Sequence, residues 1–172
     1  MISGLGGNSA LLIATIASSA ILVAGVVDDL RTRKFHNWLF ITCTVIAIAV
    51  SFALGSWGGL MLSVMGFIAG IVVLLPLVLL GIVGAGDMKL VAAFGACAGW
   101  EAVLYVVFFS FIWGVLFGVL KVILSGQFKT FVSNVLSIVT LKDRKELVLQ
   151  KIPFTVAIFM GWLTHLAYRG IL

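Results

Sequence analysis

The chain has 172 residues, of which 63% are hydrophobic and only 10% are charged, and its formal net charge is +5. This balance, with a mean hydropathy of +1.29, excludes an ordinary soluble domain and is typical of a polytopic bundle of membrane helices. The basic residues are not interleaved with exposed aromatic side chains, so no nucleic-acid partner is expected. We therefore predict an all-α integral membrane protein embedded in the lipid bilayer.

Six apolar runs of a length that suits transmembrane helices, roughly 17–25 residues, follow one another along the chain. They lie at about 9–27, 38–57, 60–83, 87–101, 102–124 and 153–170. No Lys or Arg precedes Arg31, so the first run lacks the basic start of a cleavable signal peptide and is expected to be a retained helix. The sequence predicts about six transmembrane helices in a single domain, residues 1–172.

The distribution of basic residues predicts the orientation of these helices. If the N-terminus is extracytoplasmic, every Lys and Arg except Arg169 falls on the cytoplasmic side, as the positive-inside rule prefers. Residues 125–151 are then cytoplasmic. Their apolar residues repeat at helical spacing, which predicts an amphipathic segment on the inner membrane surface.

Two aspartates lie at the ends of apolar runs, where ionisable groups are costly and mark functional candidates. Asp29 follows the first run, and Asp87 lies in Gly84-Ala85-Gly86-Asp87 at the start of the fourth. The predicted topology places both at the cytoplasmic end and at the same depth. Two such carboxyl groups sharing one proton can activate a water molecule for attack on a peptide bond. The flanking glycines favour irregular backbone, which at this depth lines a wet cavity.

Other interpretations of these carboxylates stay open at this point. Adjacent helical residues point about 100° apart, so only one of Asp28 and Asp29 is expected to face Asp87. Asp28 is expected to pair with Arg31 or Arg33 in the headgroup region. Asp29 could serve as the same kind of anchor, and Asp87 could cap the helix that follows it.

The two segments together carry a family resemblance. Asp29-Leu-Arg-Thr-Arg-Lys-Phe-His36-Asn37, followed by Gly84-Ala-Gly-Asp87-Met-Lys89-Leu, resembles the type IV prepilin peptidases, and more narrowly their short single-domain members that serve Flp-type (tight adherence) pili. In that family an Asp is followed after six residues by Pro-Asn or Pro-Asp, and the second Asp lies in GxGD followed by a Lys. The spacing to Asn37 fits Asp29 and not Asp28. His36 stands where the family usually has Pro.

The resemblance implies an activity and the residues that perform it. It implies an intramembrane aspartyl endopeptidase of the bacterial inner membrane that cleaves the short basic leader of prepilins and pseudopilins at the cytoplasmic face, after a Gly. Asp29 and Asp87 would be catalytic, and the supporting motif residues would be Gly84, Gly86, Asn37 and Lys89. Which aspartate is the base stays open, because a coupled pair titrates as a unit. Lys89 has no partner at helical spacing and is expected to snorkel to the interface, with an electrostatic effect on the aspartate pair as the alternative.

No metal or cofactor is expected. The chain has only Cys43 and Cys97, without the CxxC motifs that the larger prepilin peptidases carry. A structural zinc site needs about four ligands. The two thiols are expected to pack as small apolar side chains, and N-methylation of the product is not expected.

Two rival functions use the same aspartates. The first is a small proton- or cation-coupled carrier, although carriers usually show paired broken helices and only one Gly-rich break is evident here. The second is a presenilin-like GxGD protease, whose late Pro-Ala-Leu motif is absent because Phe154 and Thr155 follow Pro153.

Small residues predict which helices approach closely. Pairs of glycines four residues apart, the spacing that favours close contact between membrane helices, occur at Gly66/Gly70, Gly95/Gly99 and Gly114/Gly118. The fourth run is small on nearly every side. We therefore predict that it forms a central, enclosed helix that holds Asp87 in place.

Overall fold

The computed structural model describes residues 7–32, 35–125 and 154–170. They form five α-helices, namely α1 (Gly7–Thr32), α2 (Asn37–Leu79), α3 (Ala85–Ala98), α4 (Trp100–Ser125) and α5 (Phe154–Tyr168). No β-strand occurs in these three ranges, so the predicted all-α class is confirmed. The predicted amphipathic segment at 125–151 lies outside the described residues, apart from Ser125 at the end of α4.

Helix α2 changes direction abruptly at Ser56, where the backbone has φ 50° and ψ −134°. The rings of Phe40 and Phe67 stack with their centroids 6.1 Å apart, although a straight helix would separate these residues by about 40 Å. The two halves of α2 therefore lie side by side. The break falls where the sequence separates the second apolar run from the third.

Among the described residues, three helices are long and apolar enough to cross a membrane, within Ser9–Thr32, Asn37–Leu79 and Trp100–Leu124. Helices α3 and α5 have 14 and 15 residues, fewer than the ~20 that a single perpendicular span needs. The bundle is thus of the membrane type, with large apolar side chains such as Trp57 and Leu116 exposed on its outer surface. Six spans and an extracytoplasmic N-terminus stay predictions.

Helix α3 is enclosed by its neighbours, as the sequence predicts. Every residue from 90 to 97 is buried. Glycines of α2 allow the closest approach: a Cβ on Gly66 would overlap the carbonyl oxygen of Gly95, and one on Gly70 would lie 2.7 Å from the Cα of Ala92. Only glycine fits at such distances, so the small residues of both helices determine where α3 lies.

Helix α5 packs between α4 and α1 and runs antiparallel to α1. Gly161 lies against the backbone of Val106 and Ser110 on α4, and the indole Nε1 of Trp162 donates a hydrogen bond of 2.9 Å to the hydroxyl of Ser19 on α1. Because the two helices are antiparallel, the first turn of α5 meets the last turn of α1. That junction contains the candidate site.

Candidate active site

Asp29 and Asp87 meet at a single side chain, the hydroxyl of Thr155. Asp29 lies in the last turn of α1, Asp87 in the first turn of α3 and Thr155 in the first turn of α5. The Oγ1 of Thr155 is 2.5 Å from Oδ2 of Asp29 and 3.2 Å from Oδ1 of Asp87. The structure therefore brings together the two aspartates that the sequence placed at one depth.

Sequence reasoning did not identify Thr155. Its carboxylate partners lie 126 and 68 residues earlier in the chain, so no local periodicity connects the three. The one available signal is a hydroxyl-bearing residue directly after Pro153-Phe154, where the last apolar run begins.

The two glycines of the Gly84-Ala85-Gly86-Asp87 segment make room at the start of α3. Gly84 is the N-cap residue with extended backbone, φ −74° and ψ 145°, and a Cβ there would lie 3.1 Å from Oδ2 of Asp87. A Cβ on Gly86 would lie 3.1 Å from the Cβ of Phe35, in the connection between α1 and α2. The glycines therefore let Asp87 fold back against the helix start, where a carboxylate interacts favourably with the helix dipole, and let the α1–α2 connection approach α3.

Asp28 binds His36. Its carboxylate accepts a hydrogen bond of 3.0 Å from the backbone N–H of His36 and lies 2.9 Å from the ring Nδ1. Asp28 was expected to pair with Arg31 or Arg33, and that expectation missed this partner. His36 is the N-cap residue of α2 with φ −72°, close to the value that proline imposes. The pair thus fixes the turn at the position where the prepilin peptidases have Pro, through an N–H group that Pro lacks.

Lys89 is bonded to Asn37, a partner outside the helical spacing that the sequence analysis considered, and its snorkelling to the interface stays a prediction. Its Nζ donates a hydrogen bond of 2.7 Å to Oδ1 of Asn37. The two residues are 52 positions apart, so spacing within α3 could not reveal the contact. This bond joins the start of α2 to the first turn of α3, two residues from Asp87.

The donor set of the site is two carboxyl groups and one hydroxyl group. Within the described ranges, no group of three or more His, Cys, Asp or Glu side chains is placed to hold a metal ion. Cys43 and Cys97 are free thiols buried in the hydrophobic core, which confirms the prediction that they pack as apolar side chains. Two carboxyl groups this close do not both ionise readily, and a pair that keeps one proton contains an acid and a base.

The type IV leader peptidase family matches residues 16–119, which is more than half of the chain. No curated protein and no solved structure gives a significant match. The matched range contains Asp29 and Asp87 and ends before α5, so Thr155 lies outside it.

Proposed function

Because the chain belongs to the type IV leader peptidase family, we propose that it is an aspartyl endopeptidase of the bacterial cytoplasmic membrane, with Asp29 and Asp87 as its catalytic pair. The observation that supports this most strongly is the shared contact of both carboxyl groups with Thr155. Gly84, Gly86, Asn37 and Lys89 support the pair by positioning α3. We further propose that the enzyme leaves the product amine unmethylated. Its two cysteines are buried in the core and do not form the CxxC motif that the larger prepilin peptidases carry.

The proposed reaction needs one proton on the pair at the start. The ionised carboxylate takes a proton from a water molecule, whose oxygen attacks the carbonyl carbon of the scissile bond, while the protonated carboxyl group donates to the carbonyl oxygen. When the tetrahedral intermediate collapses, one carboxylate takes a hydroxyl proton and the other carboxyl group protonates the leaving nitrogen. The products are a leader ending in a carboxylic acid, which passes its proton to the new N-terminal amine or to solvent, and the helix fragment that carries this amine, and the pair again holds one proton.

The position of the pair restricts the substrate. Asp29 and Asp87 lie at the end of one helix and the start of another, so they reach a bond at the end of a substrate helix and not one at its middle. With the proposed orientation that end is cytoplasmic. A fitting substrate has a short basic leader, then the scissile bond, then an apolar membrane helix, which describes a prepilin or pseudopilin.

The first prediction concerns orientation. In cells that carry Ser3→Cys or Ser125→Cys in a background without Cys43 and Cys97, a membrane-impermeant thiol reagent added outside should label position 3 and leave position 125 unlabelled. The physical reason is the excess of basic residues on the side of residues 125–151. Labelling of position 125 from outside would contradict the cytoplasmic placement of the carboxyl pair.

The second prediction tests the proposed function through the substrate. Purified protein in bilayers should remove the leader from a prepilin with Gly before the scissile bond, and a Gly→Leu prepilin should be cleaved at least about tenfold more slowly. The reason is that a helical bond must unwind to reach both carboxyl groups, and Gly resists helix formation. A matched Leu substitution of an alanine deep in the apolar helix serves as the control and should change the rate little. Equal rates for all three substrates would contradict this account of the cleavage site.

A further inference from the structure

We propose that Thr155 is a positioning residue that holds the Asp29–Asp87 pair in its singly protonated state. This inference rests on the proposed function of the pair and extends it to a residue outside the range of the family match. Thr155 is 3% exposed, and its hydroxyl contacts one oxygen of each carboxyl group. The other oxygens, Oδ1 of Asp29 and Oδ2 of Asp87, take no part in this contact.

The hydroxyl of Thr155 has one hydrogen but contacts two carboxyl groups. A threonine hydroxyl has one hydrogen to donate and can also accept. If both carboxyl groups were ionised, Thr155 could donate to only one, and its second contact would bring two lone pairs together. When one carboxyl group is protonated, Thr155 donates to the ionised group and accepts from the protonated one. Both contacts are then hydrogen bonds, and the bond to the ionised group is charge-assisted, which makes it stronger than a bond to a fully protonated pair. The hydroxyl therefore stabilises the form with one proton most.

Asp28 and Lys89, the charged residues close to the pair on α1 and α3, are bonded to other residues. Asp29 on α1 and Asp87 on α3 are the groups that contact its hydroxyl. Asp28, the next carboxylate on α1, is bonded to His36, and Lys89, the nearest cation on α3, is bonded to Asn37. The hydroxyl is therefore the described group that joins the two aspartates directly.

The consequence is a specific change in pH dependence. Loss of the hydroxyl destabilises the singly protonated pair relative to both the fully protonated and the fully ionised pair. The pH range in which the enzyme is active should then shrink at its acidic limit and at its basic limit, by about one pH unit in total. At the optimum, kcat should fall about tenfold with KM nearly unchanged, since the proposed role of Thr155 is exerted on the carboxyl pair and not on substrate binding.

The test compares three variants with the wild type in bilayers. Thr155→Val keeps the shape and loses the hydroxyl, so it should show the narrower profile and the lower kcat. Thr155→Ser keeps the hydroxyl and should recover most of the width of the wild-type pH–activity profile. Thr164→Val is the matched control, because it removes a hydroxyl from the same helix where Thr164 accepts a hydrogen bond from Trp113, away from the carboxyl pair. Its profile should keep the wild-type width.

An infrared titration provides a readout that does not depend on a substrate. The carbonyl stretch of a protonated carboxyl group, assigned by its loss in Asp87→Asn or Asp29→Asn, reports directly on the proton held by the pair. The intensity of this band should change over a narrower pH range in Thr155→Val than in the wild type. Equal ranges in the two proteins would overturn the role of Thr155 even if prepilin is cleaved. A difference in range, with no cleavage by the wild type, would support Thr155 and reject the proposed function.

Discussion

Asp29→Asn and Asp87→Asn should each abolish leader removal, with a rate loss of at least about 10²–10⁴-fold. An amide can neither take a proton from water nor donate one as an acid, and each variant removes one of the two groups that meet at Thr155. The loss in the double variant should be no larger than in the single variants, because residues that act as a unit are not additive. The rate of conversion of a purified prepilin, followed by gel shift, measures this.

Asp28→Asn is the matched control for these variants. Asp28 is adjacent to Asp29 but binds His36, and an asparagine oxygen can still accept the backbone N–H of His36. Activity should therefore stay within about tenfold of the wild type. If Asp28→Asn were inactive and Asp29→Asn active, the assignment would be wrong by one residue. Full activity in both Asp29→Asn and Asp87→Asn would reject the protease mechanism.

Gly66→Ala should destabilise the bundle more than any other single methyl addition between α2 and α3. The new Cβ would overlap the carbonyl oxygen of Gly95, and backbone, unlike a flexible side chain, cannot turn aside. The two helices would have to separate, at a cost of about 1–3 kcal/mol or more. The loss should be visible as a lower midpoint of thermal unfolding in detergent, with reduced activity because α3 carries Asp87.

Gly58→Ala provides the comparison on the same helix. A Cβ at Gly58 would have no atom within 4 Å, so its unfolding midpoint should stay close to that of the wild type. Equal midpoints for Gly66→Ala and Gly58→Ala would show that the close approach of α2 and α3 does not contribute to stability.

The parts of this molecule that sequence could predict are those that depend on local sequence patterns. Apolar runs predict the helices, and the boundary between the second and third runs coincides with the break at Ser56. Glycine spacing and the small residues of the fourth run predict the enclosed α3. The positions of Asp29 and Asp87 at the ends of two runs predict that they meet.

The contacts that sequence could not predict join residues of different helices or residues on either side of a turn. Thr155 reaches two carboxyl groups, Lys89 reaches Asn37 and Asp28 reaches His36 across a turn. The first depends on how three helices pack, the second on how two helices pack and the third on the turn between α1 and α2, and the periodicity of one helix carries no information about any of them. The location of the break follows from the apolar runs, but the positive φ of Ser56 does not, since glycine is the residue that usually marks such backbone in a sequence.

The mass of the products from a purified prepilin tests the central claim most directly. The measurement uses wild-type protein, Asp29→Asn and Asp87→Asn in bilayers, with mass spectrometry of both fragments. The account predicts that the wild type yields one basic leader ending in Gly and one unmethylated helix fragment, and that neither variant yields them. A cut near the middle of the apolar helix, or the same fragments from either variant, would contradict it.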